Sequence, residues 1–162
     1  MRTRIDDVAG PFEGGVRMMA PMRPLPMMVL IGALALAGCA GRPAVRTFHV
    51  DLSASHEVPP ADSNGSGKAD LTLDPATRQL TWKISFGGLS SDVTAAHIHG
   101  PARPGDSAGV LLDLAPGSIR NPIEGSATLS DADIDYLMLA RCYVNLHTTQ
   151  YKGGEIRGQI VP

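Results

Sequence analysis

From residue 47 onward, apolar and polar positions alternate with a period of two. Phe48, Val50, Leu52 and Ala54 interleave with His49, Asp51, Ser53 and Ser55, which predicts a half-buried strand. Pro59-Pro60 ends it, and 62–67 (Asp, Ser, Asn, Gly, Ser, Gly) reads as a loop. Ala69, Leu71 and Leu73 then alternate with Lys68, Asp70 and Asp74, and Leu80, Trp82, Ile84 and Phe86 with Gln79, Thr81, Lys83 and Ser85. Asp74-Pro75-Ala76-Thr77 joins the two as a turn in which proline sets φ at the second position. Trp82 is the sole tryptophan and is expected to fill the core. Further strands are predicted over 93–99, 109–114 and 123–129, and a last hairpin pairs 142–148 with 155–161 across Gly153-Gly154. One helix is predicted, from Asp131 to about Ala140. Ser130 is its N-cap, Asp133 stands at the capping-box position, and Leu129 and Ile134 form a hydrophobic staple. Asp131, Asp133 and Asp135 crowd the positive end of the helix dipole. Seven or eight short strands with Gly/Pro turns and one short helix predict an all-β fold, an antiparallel β-sandwich or Greek-key barrel.

The first ~40 residues break the alternation. Met27 to Leu36 is a ten-residue apolar run, preceded by Arg17 and Arg23 and followed by small residues. That is the layout of a secretory signal. A spanning helix needs roughly 20 apolar residues, and this run is shorter. Leu36-Ala37-Gly38-Cys39 resembles the bacterial lipobox, which implies that Cys39 is acylated and becomes the first residue of the mature protein. Ala40 follows it, which by similarity to Gram-negative lipoproteins favours the outer membrane. Residues 1 to about 17 read poorly as signal, and Met18, Met19 or Met22 are alternative starts. The expected organisation is an N-terminal extension and signal peptide over 1–38, an acylated cysteine and tether over 39–46, and a β domain over 47–162. The tether reaches at most about 25 Å, so the domain is expected close to the membrane.

From Cys39 onward the chain has ten Lys and Arg against thirteen Asp and Glu, a net charge of −3. With no basic cluster, nucleic-acid binding has no support. Cys142 is the only other cysteine, so an acylated Cys39 leaves no disulfide framework. Cys142 is expected to be a small buried hydrophobe.

Candidate chemistry concentrates in two stretches. The first is His97-Ile98-His99-Gly100-Pro101-Ala102. The second runs from Tyr143-Val144-Asn145-Leu146-His147-Thr148 to Glu155-Ile156-Arg157-Gly158-Gln159. A strand's period of two puts His97 and His99 on one face and Ile98 on the other. Tyr143, Asn145 and His147 likewise share a face, as do Glu155, Arg157 and Gln159. If every apolar face looks inward, these residues look outward. Their convergence depends on which strands are neighbours, which periodicity does not determine. Neutral imidazole is the commonest ligand for copper and zinc, so His97, His99 and His147 form a candidate metal site, with Asn145, Glu155 and Arg157 as supporting groups. The alternative is structural: His97 and His99 brace the Gly100-Pro101 loop, Glu155 holds His147, and Glu155 pairs with Arg157.

These stretches, in this order, resemble the CHRD domain, the module named from chordin. His56-Glu57-Val58-Pro59-Pro60 is similar to its early Glu-Val-Pro-Pro element. The resemblance covers about 46–162 and implies an extracytoplasmic, immunoglobulin-like all-β module with no established catalytic activity. The growth-factor-binding repeats that accompany the module in chordin have no counterpart in this sequence, so that partner is not implied. A second resemblance, confined to the His-x-His strand and a distant third histidine, is to copper-zinc superoxide dismutase. Those enzymes carry more histidines, an acid for a bridged pair of metals, and a disulfide. Here only His49 and His56 remain as extra imidazoles, Asp106 and Asp113 are acids that no spacing selects, and the disulfide is impossible.

Two classes of function therefore stand open. One is a lipid-anchored, non-catalytic binding or structural module of the cell envelope, its partner an envelope protein or ligand. The other is a copper- or zinc-binding redox protein using the histidine cluster.

Overall fold

The computed structural model describes residues 44–162. The expected signal peptide, the acylation of Cys39 and most of the tether lie outside the described residues. The β domain begins one residue before its expected start, with β1 at Arg46–Ser53. A single 3-10 turn, Ala54–His56, follows it. Then come β2 (Ser66–Asp74), β3 (Gln79–Gly87), β4 (Val93–His99), β5 (Val110–Asp113), β6 (Ile123–Thr128), α1 (Asp131–Met138), β7 (Cys142–Thr148) and β8 (Ile156–Ile160).

All eight strands belong to one antiparallel sheet in the order β5-β4-β7-β8-β1-β2-β3-β6, curled into a half-barrel. The expected all-β class holds, but the immunoglobulin-like sandwich or Greek-key barrel does not. Alternation reports that each strand has one buried face. It does not report whether that face meets a second sheet or the concave side of its own.

The concave side holds a single apolar core. Phe48, Leu52, Leu71, Leu80, Ile84, Ile98, Leu146, Ile156 and Ile160 are fully buried there, one or two from each of six strands, with Leu137 from α1. Each such side chain contributes about 1.5–3 kcal/mol by leaving water. Trp82 joins this core as expected. Its indole Nε1–H donates to the Leu114 carbonyl at 3.0 Å, which removes the cost of burying that polar group. Gly125 packs beneath the indole, where a Cβ would lie 2.5 Å from a ring carbon.

The β2–β3 hairpin pairs Asp74 with Gln79 through Ser66 with Gly87, around the expected turn. In α1 the Ser130 hydroxyl oxygen accepts from the Asp133 N–H at 3.2 Å, and the Asp133 carboxylate accepts from the Ser130 N–H at 3.3 Å. That is the reciprocal capping box the sequence predicts. The helix ends at Met138 rather than about Ala140, because Ala140 takes a left-handed φ of 54° and turns the chain into β7. Cys142 is free and buried, and burial, with Asp133 nearby, pushes its thiol up to about 12. It is an inert hydrophobe, as expected.

The junction between β8 and β1 differs from the rest of the sheet. One residue pair, Ser53 with Arg157, bridges the two strands, whereas β1 and β2 pair over eight positions. Gly158 permits the approach. A Cβ there would run into the Asp51 carbonyl and the side chains of Val50 and Leu52.

Candidate metal centre

Strands β4 and β7 are neighbours, although a loop, two strands and α1 separate them in the chain. Their register sets His99 opposite Tyr143, His97 opposite Asn145 and Ala95 opposite His147. His147 therefore lies diagonal to His97 on the same face. Diagonal neighbours are within reach of long and aromatic side chains. The three candidate histidines do converge: one ring nitrogen from each lies within 4.8 Å of the others. His97 Nδ1 is 3.1 Å from His147 Nε2, and His99 Nε2 is 3.3 Å from the same atom.

The expectation that this face looks out to solvent fails. His99 and His147 are each 8% exposed, Asn145 and Arg157 3%, and Glu155 0%; His97 is half-buried. These side chains do lie on the face opposite the apolar core, as alternation requires. Segments of 54–65, 100–109 and 149–155 fold over that face and bury it with polar partners. A second, polar core results, in which each buried group needs a partner.

Those segments set the protonation of the rings. His99 Nδ1 lies 3.0 Å from the Ala108 carbonyl, and His147 Nδ1 lies 3.0 Å from the Lys152 carbonyl. A carbonyl only accepts, so both Nδ1 atoms carry the proton and both Nε2 atoms present a lone pair. Burial holds both imidazoles below their ordinary pKa, and neighbouring rings push the same way, so each is neutral near pH 7. Two lone pairs thus face each other at 3.3 Å with no hydrogen between them. His97 completes the group and, being half-buried, marks its opening to solvent.

Around the trio the supporting groups are arranged differently from expectation. Glu155 neither holds His147 nor pairs with Arg157. Its carboxylate accepts from the hydroxyls of Ser63 (2.5 Å), Ser90 (2.8 Å) and Thr148 (2.7 Å) and from the Ser90 N–H (2.7 Å). Burial would push the carboxyl up, but these four donors outweigh it and hold it below its usual range. Arg157 instead lies over the Tyr143 ring, its Cζ 3.5 Å from the centroid, and donates to the Asp106 carbonyl at 2.7 Å. The opposite side of Tyr143 stacks on His99, at 5.0 Å between centroids and 5° between planes.

Asn145 faces Glu57 across Gly154. A Cβ on Gly154 would lie 2.5 Å from the Asn145 amide and 2.7 Å from Glu57 Oε1. Glu57 Oε1 and Asn145 Oδ1 are both buried without a hydrogen-bond partner among the described residues.

His49 and His56 stand apart. His49 is exposed and pairs with Asp70 at 2.6 Å; His56 bonds the Arg157 carbonyl at 3.2 Å. Of the two acids that no spacing selected, Asp113 stands opposite His97 in the β4–β5 pairing but is exposed, and neither it nor Asp106 joins the converging donors. Asp113 accepts from the Ala115 N–H in its own turn, and Asp106 contributes its backbone carbonyl to Arg157. Among the described residues, the group that could hold a metal is three imidazoles without a carboxylate. It therefore lacks the acid on which a bridged metal pair of the superoxide dismutase kind depends. Two groups escaped sequence reasoning. Tyr143 was legible as a face-mate of His147 but not as the ring behind His99. The carbonyls of Ala108 and Lys152 carry no signal at all, because any residue supplies one.

The chain is thus an all-β module whose curled sheet carries a polar, histidine-centred outer layer. The CHRD domain model matches residues 48–160, and the chain belongs to that family. It is 26% identical over 122 residues to chordin of Xenopus laevis and 28% identical over 122 residues to chordin of Danio rerio. Each match covers 75% of this chain but only 13% of the chordin. No solved structure matches the chain.

Proposed function

We propose that this protein is a lipid-anchored CHRD module of the bacterial envelope that holds one copper or zinc ion at His97, His99 and His147. The observation that carries the metal reading is the pair of facing Nε2 lone pairs. Backbone carbonyls hold both rings in the tautomer that aims a lone pair at its neighbour. His97 Nδ1 lies 3.1 Å from the same His147 Nε2, so three ring nitrogens converge, and metal-ligating histidines are oriented in this way through the other ring nitrogen. Imidazole suits zinc and copper, and three protein nitrogens would leave a bound ion a position for water or substrate.

The test is a titration of the full-length chain in detergent micelles with Zn(II) or Cu(II), beside a His97→Ala/His99→Ala double variant. One equivalent should bind to the wild type, and affinity should fall roughly 100-fold or more in the variant. Equal binding by both proteins, or none by the wild type, sinks the assignment.

The anchor rests on Leu36-Ala37-Gly38-Cys39 behind the apolar run. One acyl chain binds membranes only marginally, so stable attachment needs the several chains a processed lipoprotein carries. In a Gram-negative host, labelled palmitate should enter the wild type but not Cys39→Ser, and the variant should leave the membrane fraction. Label retained on Cys39→Ser removes the anchor.

A further inference from the structure

The supporting groups around the trio also bear on which ion it takes. We propose that Arg157, seated behind Tyr143, biases the three-imidazole site towards monovalent copper over divalent copper. This rests on the metal reading above and deepens it.

Three neutral ligands bring no negative charge to the ion, so the charge of the surroundings decides how much positive charge the site tolerates. Arg157 lies behind the ligand layer, and it is 3% exposed, so water screens it poorly. Guanidinium, phenol ring and His99 imidazole form a stack, with 3.5 Å from Cζ to the Tyr143 centroid and 5.0 Å from there to the His99 centroid. An ion on His99 Nε2 therefore lies on the order of 11 Å from the guanidinium. At an effective dielectric near 20, one extra unit of positive charge at that distance is disfavoured by roughly tenfold.

The carboxylates of Asp106, whose carbonyl takes the guanidinium, and of Asp113, paired opposite His97, are exposed and screened by water, unlike buried Arg157. Among the described residues Arg157 forms no ion pair. The carboxylate two residues away, Glu155, is committed to Ser63, Ser90 and Thr148. The other buried carboxyl, Glu57, feels Arg157, but burial raises it to about 7, so near neutral pH it is only partly ionised. His56, which also lies against Arg157, bonds its backbone carbonyl and carries no negative charge in any state.

The experiment measures Cu(I) affinity by competition with bicinchoninate and Cu(II) affinity by competition with nitrilotriacetate, on the full-length chain in detergent. Arg157→Gln should lower the ratio of Cu(I) to Cu(II) affinity about tenfold. For a one-electron couple that is a fall of about 59 mV in midpoint potential. Arg157→Lys, which keeps the charge, should restore most of the ratio. Because Arg157 is buried and its loss threatens the fold, Glu57→Gln provides a second arm. At pH 8.5 it removes an anion beside Arg157 and should raise the ratio. A ratio unmoved in folded Arg157→Gln, or unmoved by Glu57→Gln, overturns the inference while leaving copper binding intact. A wild type that binds no copper removes the inference together with the metal reading.

Discussion

Glu57 and Glu155 are both buried carboxyls, and their surroundings drive them in opposite directions. Glu155 meets four donors and stays ionised; Glu57 is raised from 4.5 to about 7 by burial, with Arg157 only partly drawing it back. The signs for stability follow. A depressed carboxyl such as Glu155 stabilises the fold above its unfolded value, and that contribution is lost as pH falls through the folded one. A raised carboxyl such as Glu57 favours the fold fully below about 4.5, and that advantage is lost as pH rises through 7. Glu57→Gln should therefore raise the melting temperature at pH 8.5, by an equivalent of roughly 3 kcal/mol, and change little at pH 5. Thermal melts at the two pH values check this, and an equal shift at both would refute the account. Neither role was legible in the sequence. Alternation put Glu155 on the polar face, but its donors come from Ser63 and Ser90, 92 and 65 positions away. Glu57 read only as part of a family motif.

At the scale of elements the sequence was far more legible. Alternation, with Gly and Pro breaks, located all eight strands, and Ser130 with Asp133 announced the start of α1, because those signals are local. Strand order is not local. Whether β8 lies beside β1 depends on contacts between opposite ends of the domain, and its one clue in the sequence is a small residue, Gly158. That junction is narrow, a single bridging pair set where backbone and side chains leave no room for a Cβ. Gly158→Ala should push β8 from β1 and cost about 2–3 kcal/mol, as overpacking of a tight interior does. Urea denaturation followed by the fluorescence of Trp82 measures it. A loss under about 0.5 kcal/mol would show that the junction yields easily.

For the whole molecule, the same distinction explains why the histidines were found but not their setting. The residue types and the shared face of His97 and His99 follow from a period of two. Their meeting with His147 follows from the β4–β7 pairing, and their burial follows from irregular segments that close over the sheet. Alternation has nothing to say about such segments, so a face expected to be wet is a second interior. The sheet order carries one more consequence. The module's first and last strands, β1 and β8, are antiparallel neighbours, so the path into the domain and the path out of it lie at the same end. A domain built this way can be spliced into a single surface loop of another chain without pulling that loop apart. Such a domain is suited to transfer as a cassette, and its match in each of two chordins spans 13% of the chordin.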